Sequence, residues 1–321
     1  MKKTYLFLCT AFFCGLIFWG CQKESSTTPV IIAPPVDSPV VVAPFKILDS
    51  IQMITDLEQL SSDAFKGRKA GTPEIALAHT LIQTRLRQAG VDSFATGFFQ
   101  PFTLSGIEHK NLLAVIKGTS KPDEYIVMGA HYDHIGVRAG DGDVYNGADD
   151  NASGVAAVLA AAKYFKTHPP KHSIIFALWA AEEVGLRGSK YFTDNLPGTL
   201  LLTQLKFNLN LDMIARSDNN KIWGCGTFHY PAFRYLVDSL QGKTTVEFKA
   251  GFDNAAAPQD WTNLSDQGSF HSKGIPFLYL GVEDHADYHK VTDEFSKVSP
   301  ARVNENANLA AQMILLLDRK L

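Results

Sequence analysis

The sequence predicts an α/β domain in which a mostly parallel, twisted mixed sheet carries helices on both faces. Three observations support this. Short apolar runs with the length of buried strands, Tyr125–Ala130, Ile174–Trp179 and Phe207–Leu211, alternate with helical or loop stretches, the order expected when helices cross over between strands. Gly154–Phe165 is rich in alanine and valine, the composition of a helix that can approach a sheet closely. Carboxylates and imidazoles stand just after several of the apolar runs, where an open α/β sheet binds its ligand.

In chain order, residues 1–20 read as a targeting segment. Lys2 and Lys3 make a basic start, and Tyr5–Trp19 is an uncharged apolar run. That run is shorter than the roughly 20 residues of a membrane span and suits a secretory signal. Gly20-Cys21 closes it and resembles the end of a bacterial lipoprotein signal, with Cys21 as the lipidated residue. Residues 21–45 contain Pro29, Pro34, Pro35, Pro39 and Pro44 and read as an extended tether that cannot pack a core. The expected protein is exported and lipid-anchored through Cys21, on the periplasmic or cell-surface face of a bacterial membrane. The alternative is a plain secretory signal with a chance cysteine.

The folded domain is expected over residues 46–321. Ile47, Ile51, Ile54, Leu57 and Leu60 recur at helical spacing, and Ser61–Thr72 reads as loop. Pro73 opens a helix that continues through Ala76–Ala89 to a Gly90 stop. Strands are expected at Asn111–Ile116, Tyr125–Ala130, Ser173–Trp179, Phe207–Leu211 and Pro276–Leu280, and a last helix at Pro300–Leu317.

Charged residues make up 20% of the 321 and hydrophobic residues 45%, with a net charge of −3. A mildly acidic chain without a basic cluster has no electrostatic footprint for nucleic acid, which excludes that partner class. Of the four cysteines, Cys9, Cys14 and Cys21 fall in or at the end of the signal. Cys225 alone remains in the body, so no intramolecular disulfide is available there, and a small buried residue is its expected role.

Five segments carry the chemistry: His131-Tyr132-Asp133-His134, Gly147–Gly154, Ala181-Glu182-Glu183-Val184-Gly185, Leu211-Asp212-Met213 and Asp287-Tyr288-His289. Each is expected to end a buried strand with a metal-type ligand. His131 and His289 offer nitrogen, and Asp150, Glu183 and Asp212 offer carboxylate oxygen, a donor set that suits zinc. Three carboxylates around one divalent ion would leave like charges close together. Two ions with a bridging hydroxide bring the cluster to neutrality.

HYDH, GADDNASG, AEEVGLRGS, NLDM and DYHKVTDE together resemble the motif series of the secreted dizinc aminopeptidases. That zinc peptidase family also includes glutamate carboxypeptidases and glutaminyl cyclases. The resemblance runs from about Leu60 to the C-terminus and implies a zinc-exopeptidase-like fold with two zinc ions. It implies that Asp150 bridges the ions, that His131 and Asp212 hold one, and that Glu183 and His289 hold the other. It further implies Glu182 as the general base acting on a metal-bridging water, Asp133 as the residue that buttresses His131, and Tyr288 as a donor to the substrate carbonyl oxygen. In relatives the peptide after the bridging aspartate is cis, here Asp150–Asn151. The implied activity is a zinc-dependent aminopeptidase acting on peptide substrates. The rivals are a carboxypeptidase or dipeptidase of the same family, a single-zinc glutaminyl cyclase, and a noncatalytic binding module on the same fold. The motifs specify neither the preferred side chain nor an oligomeric state.

Each residue also has a plainer reading. A Glu-Glu pair is usually solvated helix surface, yet Glu182-Glu183 follows Ile174–Ala181 directly. Asp149-Asp150-Asn151 is also a turn, with Asn151 or Ser153 as cap of the next helix. Tyr288 could be a packed aromatic. His134, His271 and His285 are not needed by the ligand set and are given no catalytic role, with His285 expected at the pocket wall.

Overall fold

The structure is a computed structural model, and it describes residues 45–321. The expected signal and tether, with Cys21, lie outside the described residues except for Phe45, which packs against the core. Among the described residues nine strands form one sheet: β1 (Asp92–Ser93), β2 (Phe99–Leu104), β3 (Ile107–Ile116), β4 (Lys121–His131), β5 (His172–Trp179), β6 (Leu205–Leu211), β7 (Lys221–Cys225), β8 (Glu247–Ala250) and β9 (Phe277–Gly281). Their order across the sheet is β1–β3–β5–β4–β6–β9–β7–β8, and β2 pairs with β3. The four central strands, β5, β4, β6 and β9, are mutually parallel. The pairs β3/β5 and β9/β7 are antiparallel, which makes the sheet mixed as predicted.

Side chains alternate between the two faces of a strand, and on β5 both faces are buried. Ile174, Phe176 and Leu178 enter the larger core, while Ile175, Ala177 and Trp179 enter a second one. This explains why the central strands read as continuous apolar runs. The larger core is covered by α1 (Ser50–Leu60), α2 (Ile75–Gln88), α3 (Gly154–Thr167) and α7 (Pro300–Lys320). The second core is closed by Phe192 on α4 (Arg187–Asp194) and Phe270 on α6 (Gln267–His271). The short helix α5 (Tyr235–Leu240) adds Leu236, Val237 and Leu240 to the larger core. Burying one such Leu or Phe side chain stabilises the fold by about 1.5–3 kcal/mol. Alanines 156, 157, 160, 161 and 162 line α3 without bulk and are buried, as its composition predicted.

The predicted helices and central strands are present with ends shifted by a few residues. The expected strand at Asn111–Ile116 is longer and is one arm of a β2–β3 hairpin. Its two-residue loop is Ser105 (φ 52°) and Gly106 (φ 80°), the left-handed pair that suits the twist of a tight hairpin. Cys225 is a buried free thiol, and burial pushes its pKa well above the ordinary range.

Candidate metal centre

The carboxyl ends of β4, β5 and β6 place three of the five segments at one rim. His131 is the last residue of β4, Asp212 directly follows β6, and Glu182 and Glu183 stand in the turn after β5. The other two segments differ from the expectation. Asp150 lies in an irregular turn, Ala148–Ser153, that runs into α3, and Asn151 Oδ1 caps that helix by accepting from Gly154 N at 3.0 Å. His289 sits in a loop well past the end of β9 at Gly281. Chain folding, and not strand ends, delivers these two to the site. The Asp150–Asn151 peptide is cis.

His131 Nε2 is 3.3 Å from both Asp150 Oδ1 and Asp212 Oδ1. Its Nδ1 is 3.1 Å from the Asp133 carbonyl oxygen, so the Nδ1 proton is donated there and Nε2 faces the two carboxylates. The other oxygen of Asp150, Oδ2, is 3.1 Å from His289 Nε2, which is 3.4 Å from Glu183 Oε2. Asp150 thus divides its oxygens between two imidazoles. The structure brings together all five expected ligand residues, with His131 and Asp150 buried and His289 39% exposed. The donors fit zinc in type: nitrogen and carboxylate oxygen only, with few protein cations to neutralise them.

Charge and burial act on these groups together. Burial opposes the charged form of Asp150, but His134, His131 and His289 hold its carboxyl well below the usual carboxylate range. Burial likewise opposes protonation of His131, and the charges of Asp212 and Glu182 outweigh it, so the imidazole is raised well above its ordinary value. Burial raises Glu182 well above the carboxylate range; His131 opposes this, while Asp266 and Asp212 add to it.

Asp133 departs from its expected contact. Its carboxylate stands 4.0 Å from His131 Nδ1, and the backbone carbonyl makes the closer contact. The carboxylate instead accepts from Glu182 N at 3.0 Å and Glu183 N at 3.4 Å, which fixes the turn that carries both glutamates. The Tyr288 ring stacks on His289 with centroids 3.9 Å apart and lines the cavity. Burial raises its phenol pKa well above the ordinary value. The cavity is about 390 Å³, with the ligand residues and Glu182 on one side and Met213, Trp261, Leu264 and Val282 among its walls.

Several residues at the centre have no role assigned from the sequence, although Asp293 lies within DYHKVTDE and His134 within HYDH. Arg68, inside the expected loop, is the only buried arginine or lysine among the described residues. It donates to the carbonyls of Leu60 (2.6 Å), Tyr132 (2.9 Å), Asn146 (2.7 Å) and Gly147 (2.9 Å). One guanidinium therefore ties the HYDH segment to the loop before Asp150. Burial lowers its pKa to about 10 against the opposing charges of Asp150 and Asp293. Asp293 accepts from the backbone N–H groups of Asp149 and Asp150 at 3.1 Å. Asp266 is fully buried, and burial pushes its carboxyl to about 7. His134, to which the sequence assigns no role, has its Nδ1 2.7 Å from Glu183 Oε1. The second histidine of HYDH was the available signal. His285 does not line the cavity; it faces Asp149 Oδ2 at 3.1 Å. His271 is hydrogen-bonded to the Tyr230 hydroxyl at 2.9 Å.

A cavity at the carboxyl rim of a largely parallel sheet, holding imidazoles and an excess of carboxylates, has the placement and donor types of a metal centre. The chain belongs to peptidase family M28, whose family model matches residues 111–314. Over 220 residues it is 27% identical to aminopeptidase YwaD of Bacillus subtilis, covering 64% of this chain and 44% of that protein. Over 281 residues it is 28% identical to leupeptin-inactivating enzyme 1 of Streptomyces exfoliatus, covering 85% and 58%. The chain thus spans about half the length of these curated relatives. Its fold is shared with BSAP, a zinc aminopeptidase from Bacillus subtilis, at a TM-score of 0.67 and 17% identity over 85% of this chain and 95% of that one. It is shared equally with Porphyromonas gingivalis glutaminyl cyclase, at 0.67 and 16% identity over 86% and 100%.

Proposed function

We propose that the protein is a zinc-dependent exopeptidase that removes N-terminal residues from peptides. The observation that carries this is the divided carboxylate of Asp150, with an imidazole and a further carboxylate on either side and Glu182 left over. His131 and Asp212 would hold one zinc ion, Glu183 and His289 a second, with Asp150 shared between them. When bound, the ions supply a water of lowered pKa and a Lewis acid for the scissile carbonyl.

The chain's own residues do the rest. Glu182, on the cavity wall, accepts a proton from the attacking water and delivers it to the leaving amine. Asp133 keeps that glutamate in place through its backbone N–H. Tyr288, which lines the cavity, would donate from its hydroxyl to the carbonyl oxygen as negative charge develops there. Met213, Trp261, Leu264 and Val282 offer apolar surface to an uncharged side chain of the substrate.

Aminoacyl chromogenic substrates with free and with blocked N-termini, assayed with added zinc, test this reading. Cleavage of the free form alone is expected. Cleavage of blocked substrates bearing a free C-terminus would reassign the protein to a carboxypeptidase, and cyclisation of N-terminal glutamine without hydrolysis to a cyclase.

We also propose export and lipid anchoring through Cys21, supported by Lys2, Lys3, the apolar run Tyr5–Trp19 and the Gly20-Cys21 junction. Cys21→Ser is expected to lose lipid labelling and leave the membrane fraction with its activity intact. A variant that stays membrane-bound would exclude the anchor.

A further inference from the structure

We infer that His134 is a positioning residue for the second metal position: its Nδ1–H holds Glu183 in one orientation, so that Oε2 alone is presented with Asp150 and His289. This rests on the two-metal reading of the site. His134 is buried. Its Nδ1 is 2.7 Å from Glu183 Oε1 and 3.6 Å from Asp150 Oδ2.

The distances separate this imidazole from the other two. Ligands about 2.1 Å from a shared tetrahedral ion lie roughly 3.4 Å from one another. His131 Nε2 has two carboxylate oxygens at 3.3 Å, and His289 Nε2 has them at 3.1 and 3.4 Å. Both are spaced as co-ligands. His134 has one oxygen at 2.7 Å, the length of a charge-assisted hydrogen bond, and the other farther away. At 2.7 Å the Nδ1 of His134 is engaged in a hydrogen bond to Glu183 Oε1, too short a separation for two ligands of one ion.

The ring is itself held. His134 N donates to the Arg68 carbonyl at 3.2 Å. Its Cγ and Cδ2 lie against Gly147 (φ +55°), where a Cβ would come within 2.7 Å of both atoms. The HYDH segment therefore acts on the glutamate pair in two ways. Asp133 fixes the backbone of Glu182 and Glu183, and His134 fixes the side chain of Glu183 alone. Two adjacent carboxylates are thereby kept in different tasks.

The test compares His134→Leu, which removes the donor, with His134→Asn, whose amide Nδ2 can replace Nδ1 as donor but is a poor zinc ligand. Zinc stoichiometry and affinity are measured by chelator competition, alongside the melting temperature of the metal-free protein and the visible spectrum of the cobalt-substituted form. His134→Leu is expected to bind one of two zinc ions about 10–100-fold more weakly, the usual effect of losing a residue that orients a ligand. Its metal-free melting temperature should stay near that of the parent. His134→Asn is expected to recover most of the affinity with a parental cobalt spectrum. If His134→Leu does not fold, His134→Ala takes its place. Parental zinc affinity in the donor-less variant, or an Asn variant as defective as the Leu variant, would overturn the inference. Parent protein binding a single zinc overturns the two-metal reading on its own, and the His134 inference is then decided by whether His134→Leu loosens that one ion.

Discussion

Strand β5 has a buried histidine at its start and a glutamate pair beyond its end, and the two ends of the sheet use the same residue types differently. At the start, His172 Nδ1 is 2.9 Å from Asp318 Oδ1 on α7, and the same carboxylate accepts from Lys171 N at 3.0 Å and His172 N at 2.8 Å. Protein donors satisfy that acid, and the cluster latches the C-terminal helix to the sheet. At the other end Asp150, Glu183 and Asp212 converge around His131, His134 and His289, and the buried Arg68 spends its donors on carbonyls. A His–carboxylate cluster closed by its own donors is structural. One with carboxylates in excess calls for added cations.

The largest expected effect that would sharpen this contrast comes from Glu182→Gln. It is nearly isosteric but cannot accept a proton, so kcat should fall by at least ~10²–10⁴-fold while zinc content and KM change little. Glu183→Ala should instead lose metal, and added zinc should recover part of the activity. Elemental analysis beside steady-state kinetics reads both. Near-normal turnover in the Gln variant would break the assignment.

Stripping the metal is the next test. A ligand present at about 1,000 times its Kd stabilises the native state by about 4 kcal/mol. The melting temperature should therefore drop on chelation and return with zinc, and it should do so equally in a protein altered at Asp318. No response to zinc would place the carboxylate excess outside metal binding.

Arg68→Lys keeps the charge but not the fork of donors. Leaving buried carbonyls without partners costs about 1–3 kcal/mol each, so several kcal/mol of stability should be lost in denaturant titration, with weaker zinc binding. The smallest effect is expected at the other end of β5. Asp318→Asn should cost about 1.5–3 kcal/mol, the worth of a hydrogen bond to a charged group, with kcat and zinc content unchanged. A change in kcat there would dissolve the distinction between the two ends.

How legible the site was depended on the local signal of each residue. His131, Glu183 and Asp212 stand within a few residues of apolar runs, and a strand end aims such residues at the rim. Asp150 and His289 are expected at strand ends by the same reading, and there it fails: they sit in an irregular turn and in a loop. Arg68 could not be read at all. Its partners Tyr132, Asn146 and Gly147 are more than sixty residues away in sequence, and a lone arginine in a loop is ordinarily solvated. His134 was visible but unassigned, since its contact with Glu183 crosses from β4 to β5. The β2–β3 hairpin had a signal in the Ser105-Gly106 dipeptide, a turn pair between two short runs.

By itself the sequence determined the layered α/β architecture, because burial on both faces of the central strands forces continuous apolar runs and a close-packed helix forces small residues on α3. It also determined which donor atoms are available to a metal. Only the tertiary structure decided how those donors are shared. Asp150 faces two imidazoles at once, Asp133 turns its carboxylate to the glutamate backbone, His134 takes one oxygen of Glu183, and Arg68 binds the loops that carry them. Those choices depend on distances between segments that pair only when the sheet assembles, and no local pattern along the chain encodes a distance of that kind.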